Sequence, residues 1–125
     1  MTVLVPEKLT EFWAAMPGGY PPLRLSYTES LPLPQAVYES TGFAGMFDSS
    51  GYVEHEHRYD ISLIGSDPAA IYSQGLEASL LLDAFDPPGT EWCRATPARW
   101  ATPLKAGQLD VWVFKVTLEI RIVPG

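Results

Sequence analysis

His55 and His57 are the residues of this chain best suited to chemistry, and they are its only two histidines. They stand two apart inside the alternating run Tyr52 to Ile64. On a strand that step points both imidazoles to one face. Zinc sites use such pairs, but they need a third and usually a fourth ligand. No further histidine can supply one, so hydrogen-bonded strand histidines are the plainer reading and a metal-dependent enzyme built on His55 and His57 is the chemical alternative. Cys93 is the only cysteine, which excludes an intrachain disulfide and a multi-thiolate metal site. As a nucleophile it needs a general base, and neither histidine has a sequence link to it; a small buried hydrophobe is the simpler role. Trp92 and Trp100 lie near Arg94 and Arg99, a set that could stack on a ligand or anchor a core or an interface. There is no G-x-S-x-G elbow, Walker loop or G-x-G-x-x-G. The fifteen acidic residues are dispersed, as on solvated faces. The expectation is a non-enzyme with no catalytic residue, no cofactor and no bound metal.

The elements that would position these residues follow from periodicity. Leu9, Phe12, Trp13 and Met16 form one apolar stripe of a short helix from about Glu7 to Met16, stopped by Pro17-Gly18-Gly19. Leu23, Leu25 and Tyr27 alternate with polar residues through Thr28, a strand pattern. Gln35 to Thr41 is a second strand candidate. The glycine-rich stretch Gly42–Gly51 reads as a flexible loop holding Phe43, Met46 and Phe47. The third strand runs from Tyr52 to about Ile64. Asp67-Pro68 opens a helix expected to reach Phe85, where Asp86-Pro87-Pro88-Gly89 stops it. A weak strand covers Cys93 to Ala101, with Pro97 marking an edge or a bulge. The last strand is the clearest: Trp112, Phe114, Val116, Leu118, Ile120 and Ile122 make one apolar face. The expected fold is α+β, one domain over residues 1–125, with a mixed and mainly antiparallel sheet of four to five strands carrying one long helix and a short N-terminal one.

Charge and length narrow the partners. Eight Lys plus Arg against fifteen Asp plus Glu give a net charge of −7. Scattered cations disfavour specific nucleic-acid binding. The longest apolar run, Phe12 to Met16, is far short of the ~20 residues that span a bilayer, so no membrane partner is expected. Two geometric features point outward. Thirteen-residue strands at ~3.3 Å per residue are longer than a compact globule of this size is wide, so they must bend or project. In the long helix, Tyr72, Leu76 and Leu80 form a second apolar row opposite the core stripe, suited to an oligomer interface. Phe43, Met46 and Phe47 offer further apolar surface for a neighbour to cover.

The order of pieces resembles a known family. Leu31-Pro32-Leu33-Pro34-Gln35-Ala36-Val37-Tyr38-Glu39 is similar to the proline-flanked second strand of the tail terminator (tail completion) and neck proteins of long-tailed bacteriophages. The loop, the long strand and the helix of small and aliphatic residues follow in the family's order. Trp112-Val113-Phe114-Lys115-Val116-Thr117-Leu118 matches its W-x-F-x-V-x-L closing strand. The resemblance spans about Leu31 to Val123, while the proline-terminated first helix is shorter than the family's. It implies a ring, typically hexameric, formed of further copies of the chain, capping the tail tube and meeting the head connector. It implies no catalytic residues, a place in the virion tail or neck, and host cytoplasm during assembly. A small-molecule or regulatory binding module is the other reading, and would need a deep apolar pocket.

Overall fold

A computed structural model describes residues 5–26, 32–48, 51–106 and 109–123, with side chains described except at 43–48, 51–54, 105, 106 and 109. Helix α1 covers Val5–Ala15 and buries Val5, Leu9 and Trp13 at successive turns. The Trp13 indole N–H donates to the Pro21 carbonyl at 2.7 Å, which ties the chain beyond the helix back onto it. Gly18 and Gly19 turn with φ of 123° and 67°, a region that side chains disfavour. Strand β1 is Leu23–Arg24, β2 Gln35–Asp48 and β3 Gly51–Gly65. Helix α2 spans Pro68–Leu82; the Asp67 carboxylate caps it by accepting from the Ala69 N–H at 3.0 Å. Strands β4 (Thr90–Pro97), β5 (Thr102–Ala106) and β6 (Leu109–Ile122) complete the chain.

The fold of the described residues is α+β: a mixed sheet of six strands and two helices. Strand order is β1-β2-β3-β6-β4, and β5 pairs with the part of β6 that β4 leaves free. Every pairing is antiparallel except β1 with β2. Residues opposite one another across strands share a face. Ala36–Leu63–Phe114, Tyr38–Ile61–Val116 and Tyr59–Leu118–Ala95 are such rows, and all of these residues are buried. They meet α2 through Ile71, Ala78 and Leu82, and α1 through Val5, Leu9 and Trp13. At Gly75 a Cβ would stand 2.1 Å from Phe114 Cδ1, so the ring lies directly on the helix backbone and only glycine fits.

The last strand is as its pattern implies: Phe114, Val116, Leu118 and Ile120 are fully buried, with Trp112 half-buried. Four expectations need correction. The stretch Gly42–Gly51 is no simple loop, since β2 runs to Asp48 and β3 starts at Gly51. Register shifts between Ser40 and Gly42 and between Met46 and Phe47 break the two-residue alternation there, and the glycines hide what remains. Strand β1 is confined to Leu23–Arg24, residues 25 and 26 being bent and 27 and 28 outside the described residues. Helix α2 stops at Leu82 rather than Phe85, because Ala84 and Phe85 turn back to Leu81 and Leu82; Phe85 is still buried, its ring 5.3 Å from that of Phe12. The weak strand expected over Cys93–Ala101 is β4, which starts earlier at Thr90 and stops at Pro97, and a separate short strand, β5, follows at Thr102–Ala106.

Strands of 14 and 15 residues must bend or project, and both happen here. The bulges bend β2. Pairing of β3 with β6 ends at His55↔Ile122, while β2 and β3 stay paired to Asp48↔Gly51. Among the described residues, the β2–β3 hairpin therefore runs past the end of β6 as a two-stranded arm.

Candidate functional site

The two histidines lie at the root of this arm. His57 is opposite Ile120 and His55 opposite Ile122, so both imidazoles are on the helix-covered face. Their rings are 5.8 Å apart, and His57 stacks on Tyr59 at 6.3 Å with the planes 4° from parallel. Burial, and secondarily His55, pushes the His57 pKa below its ordinary 6.5. Burial, and secondarily Tyr38, pushes the Tyr59 phenol up to about 12. This is a half-buried aromatic ladder. No group of three or more His, Cys, Asp or Glu residues placed to hold a metal ion occurs among the described residues.

Cys93 is half-buried on β4 and its thiol donates to the Leu82 carbonyl at 3.7 Å. Burial, then Asp83 and Asp86, pushes the thiol up to about 12, the opposite of what a nucleophile needs. The Asp83 carboxylate accepts the Ala95 backbone N–H at 2.7 Å. No sequence signal marked Asp83. Its role depends on where α2 ends against β4.

The other face of the sheet carries a ladder of opposed charges. Arg121 Nε donates to Glu56 Oε1 at 2.9 Å, Arg94 meets Glu119 at 3.8 Å, and Asp60 accepts from Thr117 at 3.0 Å. The Arg94 and Arg121 guanidinium carbons each lie 5.7 Å from the centre of the Trp92 ring. Arg121, Arg94 and Asp60 each have a neighbour of opposite sign, Asp60 through Lys115 at 3.9 Å, as on a solvated surface. Farther along it, Trp100 and Leu104 are 66% and 53% exposed and help line a groove of about 360 Å³ with Val113 and Lys115. Trp100 is thus far from a core anchor, and Arg99 is exposed beside it.

The expected outward row on α2 is graded. Tyr72 leans its ring edge-on against Phe114 at 5.4 Å, Leu76 is half-buried against the core, and Leu80 is 74% exposed. The side chains of Phe43, Met46 and Phe47 lie outside the described residues, although their backbones are strand β2. The backbone of the arm is the structure's own addition to the candidate surfaces. Strand β1 covers β2 only at Ala36 and Val37, and among the described residues no strand pairs with the outer edge of β2 from Glu39 to Asp48. No helix of the described residues is long and apolar enough to cross a membrane. No protein-family model matches the chain, and no curated protein matches it at a significant level.

Proposed function

We propose that the protein is a structural virion protein of the tail terminator kind, one subunit of a ring at the head–tail junction of a long-tailed bacteriophage. The observation that carries this reading is the β2–β3 arm, whose outer edge no strand of the described residues pairs with. A closed ring needs two unlike surfaces on each subunit, so that the same contact repeats head to tail around an axis. The arm supplies one. The outward side of α2, with Leu80 exposed and Tyr72 and Leu76 at its margin, supplies the other. The order of elements from Leu31 to Val123 supports the reading, since it runs as in that family. The net charge of −7 suits a conduit through which DNA slides without adhering. Its partners are further copies of itself, six being typical of such rings, with the tail tube and the head connector on either side. The role is assembly, in host cytoplasm and then in the virion, with no catalytic group and no cofactor.

The test is tube capping. Purified protein is added to uncapped tail tubes and the tips are viewed by electron microscopy. Wild-type protein is expected to form a terminal ring. Leu80→Asp should leave unfolding free energy within about 0.5 kcal/mol of wild type, because the side chain is mostly in water, and should abolish the ring. Leu76→Asp is a poorer probe, as Leu76 is half-buried against the core. Tubes left bare by the wild type, or capped equally well by Leu80→Asp, would overturn the reading.

A further inference from the structure

We infer that Leu80 of one copy of this chain seats in the groove beside Trp100 and Leu104 of a second copy, a head-to-tail contact between the helix side of one subunit and the helix-free sheet face of the next. This deepens the ring reading by naming a surface that α2 meets besides the arm, and it rests on that reading only for closure into a ring.

Two apolar features are left open on opposite faces of the sheet. On the helix side Leu80 is mostly exposed on α2, with Tyr72 and the half-buried Leu76 in the same row. On the other face Trp100 and Leu104 line the groove of about 360 Å³ with Ser62, Ala98, Val113 and Lys115. One chain cannot bring the two together, because its own sheet lies between them. A knob on one face and a hollow on the other are the unlike halves of a heterologous contact.

Charge selects a second copy as the occupant. Helix α1 and residues 66–86 hold Glu7, Glu11, Asp67, Glu77, Asp83 and Asp86, against Lys8 alone, which pairs with Glu11 at 3.5 Å. Residues 92–104, which include most of the groove's lining, hold Arg94 and Arg99 and no acid. Arg94 meets Glu119 and Lys115 meets Asp60, but Arg99, exposed beside Trp100, has no acidic partner among the described residues. Two helix sides brought together would set acid against acid, and two grooves would set cation against cation. Helix side against groove is the pairing in which apolar meets apolar and acid meets cation. The chain thus carries both the occupant and its seat.

The test uses the intact protein in two variants that each lose one half of the contact. Leu80→Asp keeps the groove and loses the knob; Trp100→Asp keeps the knob and loses the groove. Both residues are exposed, so both variants should keep the wild-type circular dichroism and unfolding midpoint. Leu104→Asp takes the place of Trp100→Asp if that variant does not fold. Sedimentation is read at low salt up to about 1 mM protein, where even a weak contact is populated. Wild type is expected to form concentration-dependent oligomers that weaken as salt is raised. Each variant alone should associate about tenfold or more weakly, and Arg99→Glu should also weaken association. Mixed one to one, Leu80→Asp and Trp100→Asp should form a heterodimer that grows no further, because one intact knob meets one intact groove and the remaining halves are blocked. A wild type that stays monomeric, a variant that associates as strongly as wild type, or a mixture that stays monomeric overturns the inference. Tube capping is read separately. Tubes capped by Trp100→Asp as by wild type would strike the groove and leave the ring reading standing, whereas bare tubes with a pairing mixture would strike the ring reading and leave this contact standing.

Discussion

The two flanks of the one sheet are finished in opposite ways. On the β4 and β5 side the chain closes its own edge. Asp83 takes the Ala95 N–H at 2.7 Å and the Cys93 thiol reaches the Leu82 carbonyl, while within the β4–β6 seam the Val123 N–H meets the Gly89 carbonyl at 2.8 Å. Gly89, with φ of 88°, permits that last approach; a Cβ there would stand 2.9 Å from the Val123 oxygen. On the β2 side, among the described residues, β1 pairs with β2 at two positions and no strand pairs with its outer edge from Glu39 to Asp48. Both flanks hang on the same central pair, β3 and β6, and on the same core. The difference therefore lies at the edges themselves: one is held by side chains and turns of its own fold, and along the other no described strand pairs.

The most drastic way to break this comparison is to remove what both flanks share. Phe114→Ala takes a fully buried ring from under Gly75 and Tyr72 and should cost about 3–5 kcal/mol in urea unfolding. Leu118→Ala should cost about 2–5 kcal/mol by the same mechanism. Hydrogen exchange should then rise in β2 and β4 alike. A loss confined to one flank would show that the sheet does not unfold as a unit.

A smaller change separates the flanks. Asp83→Ala leaves the Ala95 N–H without its acceptor beside a buried residue and should cost about 1–3 kcal/mol, with faster exchange of the Ala95 amide and little change in β2. Asp83→Asn keeps an acceptor oxygen and should recover much of the loss. If Asp83→Ala matches wild type, the guarded edge is guarded by something else. Smaller still is Thr117→Ala, at about 0.5–1.5 kcal/mol. Thr117 is half-buried on the charged face and its hydroxyl donates to Asp60 at 3.0 Å.

These effects also mark how much of the molecule could be read from its residues. Strands with strict alternation were legible: Trp112 to Ile122 shows which face is buried because one side is apolar throughout. The start of α2 was legible in Asp67-Pro68, since a cap and a first-turn proline are local chemistry. The arm was not. Bulges at Ser40/Gly42 and Met46/Phe47 shift the phase of the pattern, so a strand with three glycines nearby resembled a loop. Strand β5 was hidden because its five residues include Pro103 and pair only locally with β6. Outward features were harder again. The row Tyr72, Leu76, Leu80 has helical spacing, but spacing says nothing of how far each residue leans onto Phe114 or the core. An open edge is a property of strand order, which no run of residues within β2 encodes.

The smallest expected effect separates the flanks by pH. His57 sits at the root of the arm on the helix-covered face, stacked on Tyr59 and beside His55. Burial first, and His55 second, hold its folded pKa below the ordinary 6.5. The unfolded chain, free of both influences, binds the proton more readily. Stability tied to the neutral imidazole is therefore fully present above about pH 6.5 and is lost as pH falls through that value toward the folded pKa. No nearby histidine exists on the β4 flank, and Cys93, pushed up to about 12, does not titrate in this range. Acidification from neutral pH should thus lower the melting temperature slightly and speed amide exchange at the root of the β2–β3 arm before it touches β4. His57→Gln should flatten that slope, because glutamine keeps a polar side chain of similar reach without taking up a proton. An unchanged slope in His57→Gln, or acid loosening that begins at β4, would place the sensitivity in the carboxylates of the charged face instead of in the arm.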